Sequence, residues 1–175
     1  MKQHLLTPGP LLDERGHLTE AGYATSLVKT YDRSAIRAGK SRIKEWDYYL
    51  VYNDDFGVAL TIDDNSYMGL VSASFLDFRN RTERTVSPMF WLPFGKTGFP
   101  ASSKEGDVRK ELKGASFSYT HENGGRRLVA KIDLNNGDVT RYTNNMLLYN
   151  NLMSGYYDWY NRRYMHVSRA KLRWC

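Results

Sequence analysis

Alternation of apolar and polar residues at period two dominates the middle of the chain. Residues 47–53 (DYYLVYN) are rich in aromatic and β-branched side chains and stop at Asn53-Asp54-Asp55, where short polar side chains favour a turn. In 57–63, Val58, Leu60 and Ile62 fall on one face and Ala59 and Thr61 on the other, the pattern of a half-buried strand. Asp64-Asn65-Ser66 marks the next turn. Residues 67–78 read as a third strand, whose small residues Gly69, Ser72, Ala73 and Ser74 permit a bend or a close approach. Three strands joined by two tight polar turns make an antiparallel meander.

Further strands follow at shorter intervals. Residues 85–94 (TVSPMFWLPF) are strand-like, but Pro88 and Pro93 confine them to an edge, a bulge or an extended connection. A loop dominated by Gly, Pro and Ser covers 95–107, and 108–112 is short and charged. Segments 115–121 and 127–134 flank Asn123-Gly124, the clearest hairpin signal in the chain, and residues 135–138 turn it again. Six or seven strands and no long amphipathic helix predict an all-β fold. Closing the sheet removes its exposed edges, so one antiparallel barrel is the preferred architecture, with a sandwich as the other solution.

Composition narrows the classes. The 175 residues suit one domain with or without a tail, and 41% hydrophobic with 14% aromatic content can bury a core. The apolar runs are too short to span a bilayer, so no transmembrane segment is expected. Residues 1–10 lack the apolar centre of a signal peptide, so a cytoplasmic location is the default. The only cysteine is Cys175, which excludes an intrachain disulfide.

The net charge of +6 is uneven. Residues 141–175 carry six basic side chains and one acid, Asp158, for a net of +5, leaving 19 basic and 18 acidic side chains in 1–140. The chain therefore divides into a β domain at 1–140, with a basic lead-in at 22–44 and strands over 45–138, and a basic aromatic tail at 141–175. The tail holds six of the 13 tyrosines, five asparagines and no clean period. A helix is one reading of 146–164, though Gly155 weakens it. The tail is either an appendage that stacks on bases and faces phosphates or not a native continuation of the domain, as after a shifted reading frame.

Chemistry-bearing motifs are few. Gly39-Lys40-Ser41 has the ending of a phosphate-binding loop, but Ser34 stands where that loop needs its first glycine. His4 and His17 lie in turn-rich, polar surroundings without further ligands at workable spacing, so no metal and no cofactor is expected. His121 and His166 have no flanking triad signature. Glu45 and Asp47 would share one face of a strand with Trp46 on the other, and Asp63 and Asp64 sit at a strand end. Paired carboxylates at strand ends are most often solvated, and most aromatic residues of the body should be core. If a cavity exists, Trp46, Tyr48 and Tyr67 are the candidates to line it, with Asp47 and Asp63 as its polar members.

The run Lys44-Glu45-Trp46-Asp47-Tyr48-Tyr49, followed by Leu60-Thr61-Ile62-Asp63-Asp64, Tyr67-Met68-Gly69 and Phe75-Leu76-Asp77, resembles the domain-of-unknown-function family 2804. With Gly95, Pro100 and the hairpin, the resemblance spans 11–138. It implies a lipocalin-like fold, similar to the two-barrel group that includes hydroxyneurosporene synthase, a carotenoid hydratase. Members of the family are usually longer, so the resemblance implies a chain truncated to the first half of a two-barrel protein, whose missing C-terminal half-domain would be its partner. The family has no established catalytic residues to carry over, and the tail departs from its pattern. The leading expectation is a lipocalin-like binder of a hydrophobic small molecule, with hydratase- or isomerase-type activity as an extension; whether the chain is an enzyme is left open. The rivals are a nucleic-acid-binding module using the tail, which is the less favoured, and a structural half-domain with no activity of its own.

Overall fold

The computed structural model describes residues 4–102, 104–122 and 125–133, together with the backbone of Met146–Tyr149, Met153–Asp158 and Arg163–Tyr164. The N-terminal segment contributes two short strands, β1 (Gly9–Pro10) and β2 (Lys29–Thr30), paired in parallel. A turn closes at 13–16, where Gly16 donates its N–H to the Asp13 carbonyl at 2.9 Å with φ of 79°. Two 3-10 turns, Arg33–Ala35 and Lys40–Arg42, lead into the sheet, the first capped by Asp32 Oδ1 on the Ser34 N–H at 2.8 Å.

Polar side chains then set the meander. Strand β3 (Glu45–Tyr52) pairs antiparallel with β4 (Phe56–Asp64), which pairs with β5 (Met68–Asp77). Asn53 Oδ1 accepts the N–H groups of Asp55 and Phe56 at 2.8 and 2.9 Å, closing the first turn. Asp64 Oδ1 accepts the Ser66 N–H at 2.9 Å in the second, where Ser66 adopts a left-handed φ of 76°. Strand β6 (Thr82–Val86) continues from the lower part of β5, while β7 (Met89–Trp91) pairs with its upper part. The chain then crosses to a second sheet of β8 (Val108–Leu112), β9 (Ala115–Glu122) and β10 (Gly125–Ile132). The β9–β10 register, with Glu122 opposite Gly125, fits the hairpin expected from Asn123-Gly124, although those two residues and the turn expected at 135–138 lie outside the described residues.

Within 146–164, where a helix was one reading, the described backbone is extended. Strand β11 (Met146–Tyr149) pairs with β10, β12 (Met153–Asp158) with β3, and β13 (Arg163–Tyr164) with β12. The sheet orders are β11-β10-β9-β8 and β13-β12-β3-β4-β5-β6, with β7 beside β5.

The all-β antiparallel class is what the structure has, but the expected closed barrel is not. The strands form separate sheets, open at both ends among the described residues. Pro88 and Pro93 bracket the three-residue β7 and withhold backbone donors, and 92–107 carries the chain over to the second sheet without extending the first ladder. The two sheets instead face each other across one core. Tyr49, Val51, Leu60, Ile62 and Val71 meet Val108, Phe117, Tyr119, Leu128, Ala130 and Ile132 there. Among the described residues, no helix is long and apolar enough to cross a membrane.

Candidate functional site

Strand alternation decides what β3 presents. Tyr49 and Val51 are core residues, so the period of two carries Asp47 and Glu45 to the same inward face, and all four are buried. Trp46 and Tyr48 take the other face, where Trp46 lies opposite Asp63 and Tyr48 opposite Thr61. The two buried carboxylates have different surroundings. Glu45 is fully engaged: Tyr31 donates its hydroxyl to Oε1 at 2.8 Å, and Arg33 Nε reaches Oε1 and Oε2 at 3.0 and 2.9 Å. Asp47 is 5% exposed, and its Oδ2 has no hydrogen-bond partner among the described residues. Burial pushes its carboxyl up to about 6, with the positive charge of Arg126 acting the other way.

Three further groups complete this polar pocket of the core. Arg126 is fully buried and donates to the carbonyls of Glu105, at 3.1 Å, and Gly106. The hydroxyls of Tyr49 and Tyr119, one from each sheet, are buried and lack geometrically formed hydrogen bonds among the described residues, and their rings meet edge to face at 4.9 Å. Burial and the Asp47 charge hold both phenols above their ordinary range. The Arg126 guanidinium lies beside the Tyr49 hydroxyl and opposes the shift. Unpartnered buried polar atoms are rare, since each costs about 1–3 kcal/mol. Asp47, Tyr49 and Tyr119 bring three into one core.

Beside this pocket opens a cleft of about 300 Å³. Leu11, Leu27, Trp46, Phe99 and Pro100 supply its apolar wall, and Lys29, Tyr31, Asp47 and Glu105 its polar edge. Glu105 links cleft and core, because its carbonyl is one of the groups that hold Arg126.

Of the residues singled out from the sequence, Trp46 and Asp47 line this cleft together. Tyr48, Asp63 and Tyr67 do not. Tyr48 is half-buried on the opposite face of β3. Asp63 accepts a hydrogen bond from Asn65 Nδ2. Its carboxyl is pushed up to about 7 by burial and by the neighbouring Asp64 charge, while Lys44 opposes the shift. Tyr67 sits at the β4–β5 turn with the Lys44 ammonium 4.0 Å from its ring centroid. Arg126 and Tyr119 were not singled out. The signal was present for Arg126: the apolar face Leu128, Ala130, Ile132, extended two residues back, lands on it. Among the described residues, no three His, Cys, Asp or Glu side chains converge as a metal site requires. The side chains of the basic segment 141–175 lie outside the described residues.

Two facing antiparallel sheets, a buried polar group between them and an apolar-walled cleft beside it define the class of protein. The chain belongs to the family described as Domain of unknown function (DUF2804), whose model matches residues 2–154 and so takes in strands of both sheets. No curated protein and no solved structure matches the chain.

Proposed function

We propose that the protein binds a small hydrophobic molecule carrying one polar group, held in the cleft against Leu11, Leu27 and Phe99 with its polar end toward Asp47. The observation that carries this reading is the unpartnered Asp47 Oδ2, which belongs to a residue lining an apolar-walled cleft and shares the core with the buried hydroxyls of Tyr49 and Tyr119. A site that leaves donors and acceptors unsatisfied when empty gains from a ligand that satisfies them. The cleft volume lies at the lower end of the range for small-molecule sites, which favours a compact ligand.

Titration with an apolar fluorescent probe tests this reading. Saturable binding to the folded protein should weaken about tenfold or more in Phe99→Ala, which removes a ring from the apolar wall. Probe binding that never saturates, or that Phe99→Ala leaves unchanged, rejects it.

One observation favours an added proton-transfer role of the hydratase or isomerase kind. A carboxyl near 6 is populated in both protonation states around neutral pH, as a general acid or base needs. On that reading Asp47 would exchange a proton with the bound molecule, and turnover of a candidate alkene or enone should vanish in Asp47→Asn while binding persists.

A further inference from the structure

At the end of the first sheet marked by the β4–β5 turn, large apolar side chains stand in solvent. Trp91 is 70% exposed, Leu92 59%, Tyr67 50% and Phe94 39%. Backbone hydrogen bonds hold them together: Leu92 N–H to the Tyr67 carbonyl at 3.0 Å, and Phe94 N–H to the Ser66 carbonyl at 2.9 Å. Ser66, Leu92 and Phe94 are three of the four non-glycine residues with positive φ among the described residues, at 76°, 56° and 47°. Left-handed backbone is costly for a leucine or a phenylalanine and persists only where the surroundings impose it. Here it carries two apolar side chains outward rather than into the core.

Among the described residues the fully exposed charges around this cluster are basic, and the half-buried Asp63 lies beside Lys44. Lys40 and Lys96 are exposed, and Lys44 lies over the Tyr67 ring. The Lys40 carbonyl accepts the Ser66 hydroxyl, which fixes that basic turn against the apolar tip. Two other acids nearby are turned inward. Asp64 is buried and accepts the Gly95 N–H at 2.9 Å and the Thr97 hydroxyl at 3.0 Å, and Glu45 is buried against Arg33.

We propose that this tip docks the protein onto an anionic lipid surface, with Trp91, Leu92 and Phe94 entering the headgroup boundary and Lys40, Lys44 and Lys96 facing the phosphates. Interfacial anchoring combines aromatic and aliphatic side chains with flanking lysines in this way. Other occupants fit less well. A strand-adding partner meets prolines on either side of β7 and left-handed residues just beyond it. A second copy of the chain would bring like charges together. A single-stranded nucleic acid would find one face of Tyr67 covered by Lys44 and nothing to stack on at Leu92. The surface is separate from the cleft, and the inference does not rest on the ligand reading.

The test is co-sedimentation of the full chain with phosphatidylcholine vesicles, with and without phosphatidylserine. The protein should pellet with the anionic vesicles and much less with the neutral ones. Trp91→Ser combined with Leu92→Asn, the asparagine chosen because it tolerates positive φ, should weaken partitioning at least about tenfold. Lys96→Glu, an exposed change that leaves the tip's apolar groups in place, should weaken it about fivefold. If the double variant melts early, Lys96→Glu decides alone. The basic segment 141–175 is present in every variant, so partitioning that neither change weakens assigns binding elsewhere and overturns the proposal. Absence of partitioning overturns it too, as does binding of a single-stranded oligonucleotide that depends on Trp91 without vesicle binding.

Discussion

Asp47 concentrates the cost of building this core. A carboxyl moved from 3.8 to about 6 binds its proton more tightly in the folded than in the unfolded chain. The stability that the proton supports is therefore complete below about pH 4, falls as the pH rises through 6, and is gone above it. Asp47→Asn keeps the neutral form at every pH. Its advantage over the unaltered protein should be near zero at pH 4 and should grow to at most about 3 kcal/mol at pH 7. Urea unfolding at pH 4, 5, 6 and 7 measures that difference, and a difference that does not change with pH contradicts a buried, charged Asp47. Tyr119→Phe removes an unpartnered hydroxyl from the same pocket. Such a change should leave stability within about 1 kcal/mol or improve it, as read from the same urea unfolding. The face on which Asp47 lies was legible from alternation, because Tyr49 and Val51 follow it at steps of two. Its partners were not legible. Tyr119 and Arg126 come from strands more than 60 residues away in the chain, and no local pattern specifies which strand faces which.

Among the elements, the meander was the readable part, since Asn53, Asp64 and Ser66 are turn residues with a visible mechanism. Strand β8 was hidden by its composition: Arg109, Lys110 and Glu111 interrupt what Val108 and Leu112 begin, and it is pairing with β9 that makes it a strand. Gly69 shows a constraint between elements that the sequence only hinted at. A Cβ on Gly69 would clash with the edge of the Phe90 ring of β7 and with the Asp63 carbonyl of β4. Gly69→Ala should therefore cost about 1–3 kcal/mol by overpacking. Adding Phe90→Leu should recover part of that loss, because the smaller side chain relieves one of the two clashes. A double-mutant cycle measured by chemical denaturation reads the coupling directly. Strictly additive losses would mean that the ring and the glycine are not in contact. Asp64 acts over a longer range, tying the β4–β5 turn to Gly95 and Thr97.

At the scale of the molecule, the open question from sequence was how the sheet edges are managed. Closure into one barrel was the economical answer, and the proline-bracketed β7 prevents the simple continuation it needs. Two facing sheets solve the burial problem another way, but they make each sheet depend on the other. Phe117 lies on β9, is fully buried, and belongs to the core shared with Tyr49, Leu60, Ile62 and Val71 of the first sheet. Phe117→Ala should lower stability by about 3–5 kcal/mol, a large share of the roughly 5–15 kcal/mol typical of a domain. The informative part is where the loss is felt. If the core is one cooperative unit, native-state hydrogen exchange should quicken for the amides of Ile62 and Val71 as much as for those of Leu128 and Ala130, since all four open only when the sheets part. If each sheet is stable in its own right, exchange should quicken in β8 to β10 alone and leave β3 to β5 protected. The Tyr49–Tyr119 edge contact, at the centre of the polar pocket, joins residues from both sheets. A single cooperative response would therefore also mean that the geometry around Asp47 is held by the whole molecule rather than by β3.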